Sequence, residues 1–319
     1  MENVSMISTN LVLLGLVEME KLKYLYVVIS LGTYLITVIL CSTIVFVIWT
    51  ETSLHEPMHI FICNLLLNGM FGSTIFFPKL LTDLGSGSKI ISFAGCLVQS
   101  FCMHTFAAVE LFTFTIMAQD RYIAVGQPLR YATLMTNGKA LKYIGVIWLI
   151  AIIAVFVPVV MTSQLSLCGI NINNVFCDNM SLIRLACGDT SVNNIFGAVE
   201  AFFINISALL MVIYCYIQTF RICLKISKEA HQKAVRTLVT HLVAFSNYMV
   251  ATLFLLLRYR LNSNALSING HILFSVTGFV TPSIVNPLIY GIRTEALKIK
   301  IAQKLRKISD PHDLAKSKS

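Results

Sequence analysis

Long stretches with few or no charged residues recur along this chain. The hydrocarbon core of a membrane is about 30 Å thick, and about 20 apolar residues cross it as a helix. Only 12% of the 319 residues are charged, and the mean hydropathy of +0.78 is too high for a soluble domain. We therefore predict an all-α membrane protein with seven membrane-spanning helices, at about Leu25–Trp49, Met58–Leu80, Phe93–Asp120, Leu141–Met161, Asn193–Arg221, Arg236–Leu257 and Gly270–Tyr290.

The distribution of Lys and Arg predicts the orientation of the bundle, because cytoplasmic loops retain positive charge during insertion. With the N-terminus outside, 17 of the 24 Lys and Arg residues fall on the cytoplasmic side. Residues 1–24 are then an extracellular N-terminus, and residues 25–292 form the seven-transmembrane domain. The net charge of +9 indicates contact with anionic membrane lipids and a protein partner, rather than nucleic-acid binding, for which there is no separate basic domain.

Residues 293–308 have an amphipathic pattern. Lys and Arg occupy one face, which predicts a short eighth helix on the inner membrane surface, with Thr294 as a candidate cap. Its apolar face would comprise Leu297, Ile301, Leu305 and Ile308. The polar residues 309–319 are predicted to form a disordered cytoplasmic tail.

Asparagine and cysteine positions agree with an extracellular N-terminus. The sequon at Asn3 lies on a flexible end and is the preferred glycosylation site, ahead of Asn179. Four cysteines fall on the extracellular side, an oxidising environment where disulfides persist. They are Cys96, Cys168, Cys177 and Cys187. Four cysteines allow three pairings, and the spacing alone does not choose among them.

Seven helices with an outside N-terminus leave two function classes, a signalling receptor and a transporter or channel. Transporters commonly show internal repeats and charged residues along the path, and no repeat is seen here. The sequence also has no metal-ligand cluster, Gly-rich phosphate loop or other catalytic set, so we predict neither an enzyme nor a cofactor.

Four motifs carry a family resemblance. They are "LHEPMHIFICNLL" from Leu54, "MAQDRYIAVGQPLRY" from Met117, "KAVRTLVTHL" from Lys233 and "PSIVNPLIYG" from Pro282. In this order, at these helix ends, they resemble the olfactory receptors among the rhodopsin-like G-protein-coupled receptors. The resemblance covers nearly the whole chain, and "SLHEPM" is more similar to the fish branch than to the mammalian branch.

The resemblance implies roles for the third and seventh helices. A buried Arg121 is costly unless paired, and Asp120 supplies a carboxylate beside it. Breaking this pair would release Arg121 toward a G protein; a solvated pair at the membrane interface is the alternative. The implied activation residues are Asp120, Arg121, Tyr122, Tyr216, Asn286, Pro287 and Tyr290. Proline kinks the seventh helix, and this kink either takes part in activation or simply serves packing.

Several polar positions of the family core differ in this chain. Cys41 stands where an Asn is usual, and Gly69, next to Asn68, stands where an Asp is usual. Glu110 lies where olfactory receptors usually carry an acid. A sodium site built from both carboxylates would therefore keep only one of them here, which puts sodium regulation in doubt. We predict that Glu110 is protonated or held by neighbouring amides and hydroxyls, because a lone buried carboxylate tends to neutralise.

The resemblance places a ligand site in the outer half of the bundle. The predicted lining residues are Ser100, Met103, His104, Ala107, Ala108, Glu200, Thr252, Leu253, Leu256 and Arg260. Arg260 is a candidate anchor for a carboxylate of the ligand, or alternatively an Arg that reaches the lipid head groups. Together with Glu200, it would suit a zwitterionic ligand. His104 is either a ligand contact or a packing residue.

The resemblance also implies disulfides Cys96–Cys177 and Cys168–Cys187. It implies an odorant receptor in the plasma membrane of olfactory cilia, which binds a small, water-soluble ligand. The implied partner is a stimulatory G protein of the olfactory type that raises cyclic AMP. The alternatives are a rhodopsin-like receptor for a non-odour metabolite and, from another class, a transporter.

Overall fold

The computed structural model describes residues 10–225, 227–260 and 268–309, and these residues are mainly helical. The helices are α1 (Leu14–Met19), α2 (Lys23–Thr50), α3 (Pro57–Ser86), α4 (Phe93–Gly126), α5 (Pro128–Leu134), α6 (Asn137–Ser163), α7 (Asn179–Ile183), α8 (Ser191–Cys223), α9 (Lys228–Arg260), α10 (Ile268–Arg293) and α11 (Glu295–Ser309). Single turns of 3-10 helix lie at Glu20–Leu22 and Thr52–Leu54.

The seven-helix bundle is confirmed, with α2, α3, α4, α6, α8, α9 and α10 in the places of the predicted spans. Six of these are apolar enough over a sufficient length to cross a membrane. The seventh, α10, is 26 residues long and packs against α9, α3 and α2. The helices extend past the predicted ends; α4, for example, continues to Gly126. Charged residues mark the edge of the membrane, but they do not end a helix.

Local sequence signals set several helix ends. Pro57 occupies the first position of α3, where its missing N–H would be unpaired anyway. The Ser92 hydroxyl accepts a hydrogen bond from the Gly95 N–H at 3.1 Å and caps α4. Gly87, which directly follows α3, has a φ of 72°, a backbone conformation that other residues rarely adopt.

A small sheet closes one end of the bundle, and the sequence analysis did not anticipate it. Its strands are β1 (Asn10–Leu13), β2 (Ile90–Ser92) and β3 (Asn171–Ile172). β1 lies in the middle, antiparallel to β2 and parallel to β3. Strands of two to four residues are too short for an alternating apolar pattern to be recognised. We call this the sheet end, and the opposite end the Arg121 end.

Residues 10–22 cap the sheet end. Leu11 and Leu13 are fully buried in an apolar cluster that includes Phe76 and Phe176. At Gly15, an added Cβ would lie 2.7 Å from the backbone carbon of Asn174, so only glycine permits this approach. Residues 10–22 are therefore packed into the bundle.

The amphipathic α11 lies against the bundle at the Arg121 end. Leu297 is fully buried, and Ile301 packs against the central core. Thr294 directly precedes the helix, as expected of a cap residue. The side chains of Leu305 and Ile308 lie outside the described residues, as do residues 310–319.

Candidate functional site

The Asp120–Arg121 pair forms at the Arg121 end, and its carboxylate is buried. Arg121 Nη2 lies 3.0 Å from Asp120 Oδ2; the Asp120 side chain is 0% exposed and that of Arg121 is 20% exposed. The Tyr131 hydroxyl donates to Asp120 Oδ1 at 2.8 Å. The carboxylate is therefore buried and held by two polar partners. This arrangement differs from the alternative of a solvated pair at the interface.

Tyr131 on α5 is a site residue that the sequence analysis missed, although it ends the quoted Asp-Arg-Tyr motif. Burial, followed by the negative charge of Asp120, raises the pKa of the Tyr131 hydroxyl above its ordinary value. The phenol therefore stays protonated and keeps donating to the carboxylate.

A second missed residue, His241, connects α9 to α10. Its Nδ1 lies 3.1 Å from the hydroxyl of Tyr290, and the ring centroids are 5.5 Å apart. Both side chains are buried. His241 is part of the quoted "KAVRTLVTHL" motif, and a polar residue in an apolar helix was a signal that could have identified it.

The remaining activation residues are distributed over α4, α8 and α10. Tyr122 stacks edge-on against Tyr214 of α8, and Tyr216 is half-buried against the central core. Pro282 and Pro287 are inside α10, which continues through both.

Glu110 is held by an amide in the middle of the bundle. Asn286 Nδ2 donates to Glu110 Oε1 at 2.5 Å, and both residues are buried. Asn68 Nδ2 donates to the carbonyl of Phe106 at 2.9 Å. At Gly69 an added Cβ would contact the backbone of Ser283, so α3 and α10 approach closely there. An amide contact of the predicted kind is present, whereas protonation of Glu110 stays a prediction.

A cavity of about 510 Å³ opens beside Arg121. Its walls come from α3, α4, α9, α10 and the start of α11, and they combine basic, acidic and hydroxyl side chains. They include Arg121, Arg236, His241 and Glu295. This cavity is where a partner could reach Arg121 from outside the bundle.

The predicted ligand face of α4 is present in the structure. Ser100 and Met103 are buried, and His104, Ala107 and Ala108 are half-buried. His104 Nδ1 lies 2.8 Å from the carbonyl oxygen of Ser100, on its own helix. The Tyr248 hydroxyl donates to the carbonyl of Ala107 at 3.2 Å and forms a polar link from α9 beneath this face.

The outer half of α8 packs loosely beside that face. Residues 191–207 include no buried side chain, and Glu200 is half-buried. Packing becomes tight only further along, at Ala208, Val212, Cys215 and Thr219.

One predicted ligand residue does not reach this region. Leu253 is 52% exposed and lies on the outer surface of α9. The face that α9 turns inward contains Phe245, Tyr248 and Ala251, and a residue two positions after Ala251 is rotated about 200° away. Thr252 is half-buried. The side chains of Leu256 and Arg260 lie outside the described residues, as does Asn3.

Both disulfides implied by the resemblance are present at the sheet end. Cys96 pairs with Cys177, and Cys168 pairs with Cys187. The first joins the loop after α6 to the start of α4, and the Cys177 N–H donates to Gln99 Oε1 at 2.9 Å beside it. Among the described residues, no group of three or more His, Cys, Asp and Glu side chains could hold a metal ion.

Comparison with known proteins identifies the family. The sequence profile described as "Olfactory receptor" matches residues 30–307. Olfactory receptor 52K1 of Homo sapiens is 32% identical over 297 residues, which cover 91% of this chain and 94% of the relative. Olfactory receptor 6E1 of Mus musculus is 32% identical, covering 91% of this chain and 93% of the relative. The resemblance to the fish branch stays a prediction. With its seven-helix bundle and its Asp-Arg-Tyr site, the chain belongs to the olfactory receptor family, and it is a multi-pass membrane receptor rather than an enzyme.

Proposed function

We propose that the chain is an odorant receptor that binds a small, water-soluble ligand from outside and activates a stimulatory G protein of the olfactory type, which raises cyclic AMP. The observation that carries this proposal is the buried Asp120–Arg121 pair beside an open cavity, at the end of the bundle opposite both disulfides. The protein would act in the plasma membrane of olfactory cilia.

Two independent features support an extracellular sheet end. Both disulfides lie there, and disulfides persist in oxidising compartments. Basic residues concentrate near the Arg121 end, around the junction of α8 and α9 and along α11, as expected of a cytoplasmic surface.

The packing of the outer half supports a ligand site between α4 and α8. The half-buried His104, Ala107 and Ala108 lie on α4, and residues 191–207 of α8, which packs against α4, include no buried side chain. The ring of His104 uses one nitrogen for the Ser100 carbonyl, so Nε2 is available to a ligand. Glu200 would favour a cationic group on the ligand, and Arg260 an anionic one.

The Arg121 end has features that a G-protein partner requires. The cavity reaches Arg121, and Leu129 of α5, the helix whose Tyr131 contacts Asp120, is 98% exposed. A fully exposed leucine is a candidate contact for a partner, because a partner can bury it. Release of Arg121 from Asp120, together with separation of His241 from Tyr290, would open the cavity further.

A cyclic AMP assay in cells that express the chain with an olfactory-type G protein tests this proposal. The ligands are matched water-soluble carboxylic acids, amines and amino acids, and surface expression is measured in parallel. We expect a ligand-dependent rise that Arg121→Ala abolishes. A rise of equal size in Arg121→Ala would contradict the proposal, as would no response to any ligand despite normal surface expression.

Glu200→Gln tests the ligand's charge class in the same cells. We expect it to weaken responses to amines and amino acids, since it removes the carboxylate, and to leave responses to simple acids unchanged. If all preferences are retained, Glu200 does not contact the ligand. Glu18→Gln at the sheet end is the matched control.

A further inference from the structure

The Asp120–Arg121 pair does not by itself hold α9 in place. Both residues lie on α4, so their ion pair restrains Arg121 without connecting one helix to another. Any resting restraint on α9 must come from contacts that α9 makes with its neighbours. Near the Arg121 end these include the His241–Tyr290 contact and an ion pair between Arg236 and Glu295.

Arg236 and Glu295 face each other across the cavity. Arg236 Nη1 lies 3.2 Å from Glu295 Oε2, and both residues line the cavity walls. Arg236 is on the first third of α9, and Glu295 is the first residue of α11. The pair therefore crosses the entrance through which a partner would approach Arg121.

The helix that carries Glu295 is itself anchored to α2. Glu51, which follows α2, has Lys300 Nζ at 3.0 Å and Lys304 Nζ at 3.6 Å. The hydrogen bond from Lys300 lowers the pKa of Glu51 below its ordinary value, so Glu51 stays ionised at neutral pH. Leu297, which is fully buried, fixes α11 from its other face.

The anchoring makes α11 a fixed support for α9. Two lysines connect α11 to Glu51 at the end of α2, and Leu297 is buried in the central core, so we expect α11 to stay in place when α9 moves. Movement of α9 away from the bundle must therefore break the Arg236–Glu295 pair.

We propose that Arg236 and Glu295 are a positioning pair that holds the start of α9 against α11 and limits the opening of the cavity beside Arg121 in the resting receptor. This inference rests on the proposed function, because it concerns the movement that admits the G protein. Neither residue contacts the ligand. The pair sets the basal activity, and its loss favours the open arrangement without any ligand.

The first test measures basal cyclic AMP, normalised to surface expression, in full-length receptors. We expect Arg236→Gln and Glu295→Gln each to raise the basal level about two- to five-fold, the range for an exposed ion pair. The charge-exchanged double variant, Arg236→Glu with Glu295→Arg, should return to the original level because the pair forms again. Lys298→Gln is the matched control on α11, an exposed position with no ion pair among the described residues.

The second test measures the position of α9 without any G protein. Spin labels at Lys142 of α6 and Val239 of α9, in purified receptor with Cys63 and Cys102 replaced by serine, report the distance between the helices. Each single variant should shift the distance distribution to longer values, and the charge exchange should reverse the shift.

The two readouts distinguish the possible failures. Longer distances with unchanged cyclic AMP would support the positioning pair and contradict the choice of G protein. Unchanged distances in both single variants, or a charge exchange that behaves like the single variants, would overturn the positioning pair.

Discussion

At the scale of single residues, this receptor keeps two buried acids in an apolar bundle by giving each a specific partner. Asp120 accepts from Tyr131 and pairs with Arg121, and Glu110 accepts from Asn286. Such contacts matter because an unpartnered buried charge costs several kcal/mol. Changing one partner should therefore shift either the stability or the balance between the two states.

Tyr131→Phe removes the hydroxyl that donates to Asp120 and leaves the ring in place. A hydrogen bond to a charged group is worth about 1.5 to 3 kcal/mol, so the resting arrangement should lose a comparable amount and basal cyclic AMP should rise about ten-fold or more. Tyr143→Phe on α6 is the control. Basal activity equal to that of the unmodified receptor would show that the Tyr131 contact does not maintain the resting state.

Glu110→Gln tests whether the buried acid is neutral. If Glu110 carries a proton, replacing the neutral acid by an amide should lower the stability by less than about 1 kcal/mol. Asn286→Ala should lower the stability by about 1 to 3 kcal/mol, because it leaves the acid without its hydrogen-bond donor. Thermal unfolding of the purified receptor, with and without sodium, measures both. Sodium stabilisation that Glu110→Gln abolishes would instead indicate a bound cation.

At the scale of elements, the sheet end is held by covalent and apolar contacts, whereas the Arg121 end is held by polar contacts. The two disulfides, the three-stranded sheet and the buried Leu11 and Leu13 close the sheet end. This difference allows one end to change its packing while the other stays fixed.

The two disulfides should contribute unequally to stability. Cys96–Cys177 closes a loop of 81 residues and Cys168–Cys187 one of 19. The loss of unfolded-state entropy predicts about 4.5 kcal/mol for the first and about 3 kcal/mol for the second. Thermal unfolding of Cys177→Ser and Cys187→Ser should therefore show a larger loss for Cys177→Ser. The reverse order would mean that local packing, rather than loop length, dominates.

At the scale of the whole molecule, the proposed ligand and partner sites lie at opposite ends of the same bundle. The α4 helix runs through both, from the face around His104 to Asp120 and Arg121. A ligand favours signalling only by binding the open arrangement more tightly than the closed one.

Leu129→Ala tests the partner surface separately from the switch. The side chain is 98% exposed, so its loss should not affect folding, but burial of a leucine in an interface is worth about 1.5 to 3 kcal/mol. Ligand-stimulated cyclic AMP should fall about ten-fold or more at equal surface expression. Thr133→Ala, also exposed on α5, should leave the response unchanged. Full signalling by Leu129→Ala would exclude this leucine from the interface.

The sequence by itself determined the seven spans, the amphipathic α11 and the positions of the family motifs. Long apolar stretches and charged helix ends are local features, and hydropathy is sufficient to recognise them. The motifs also located Asp120 and Arg121, and the family resemblance located Glu110, before any packing was known.

Only the tertiary structure decided which residues meet. Tyr131 on Asp120, His241 on Tyr290 and Arg236 on Glu295 are contacts between different helices. The orientation of Leu253 also depended on the fold, because the side of a helix that faces lipid is as apolar as the side that faces the core. Periodicity distinguishes a buried face from an exposed one in water, but in a membrane only the packed neighbours separate the two.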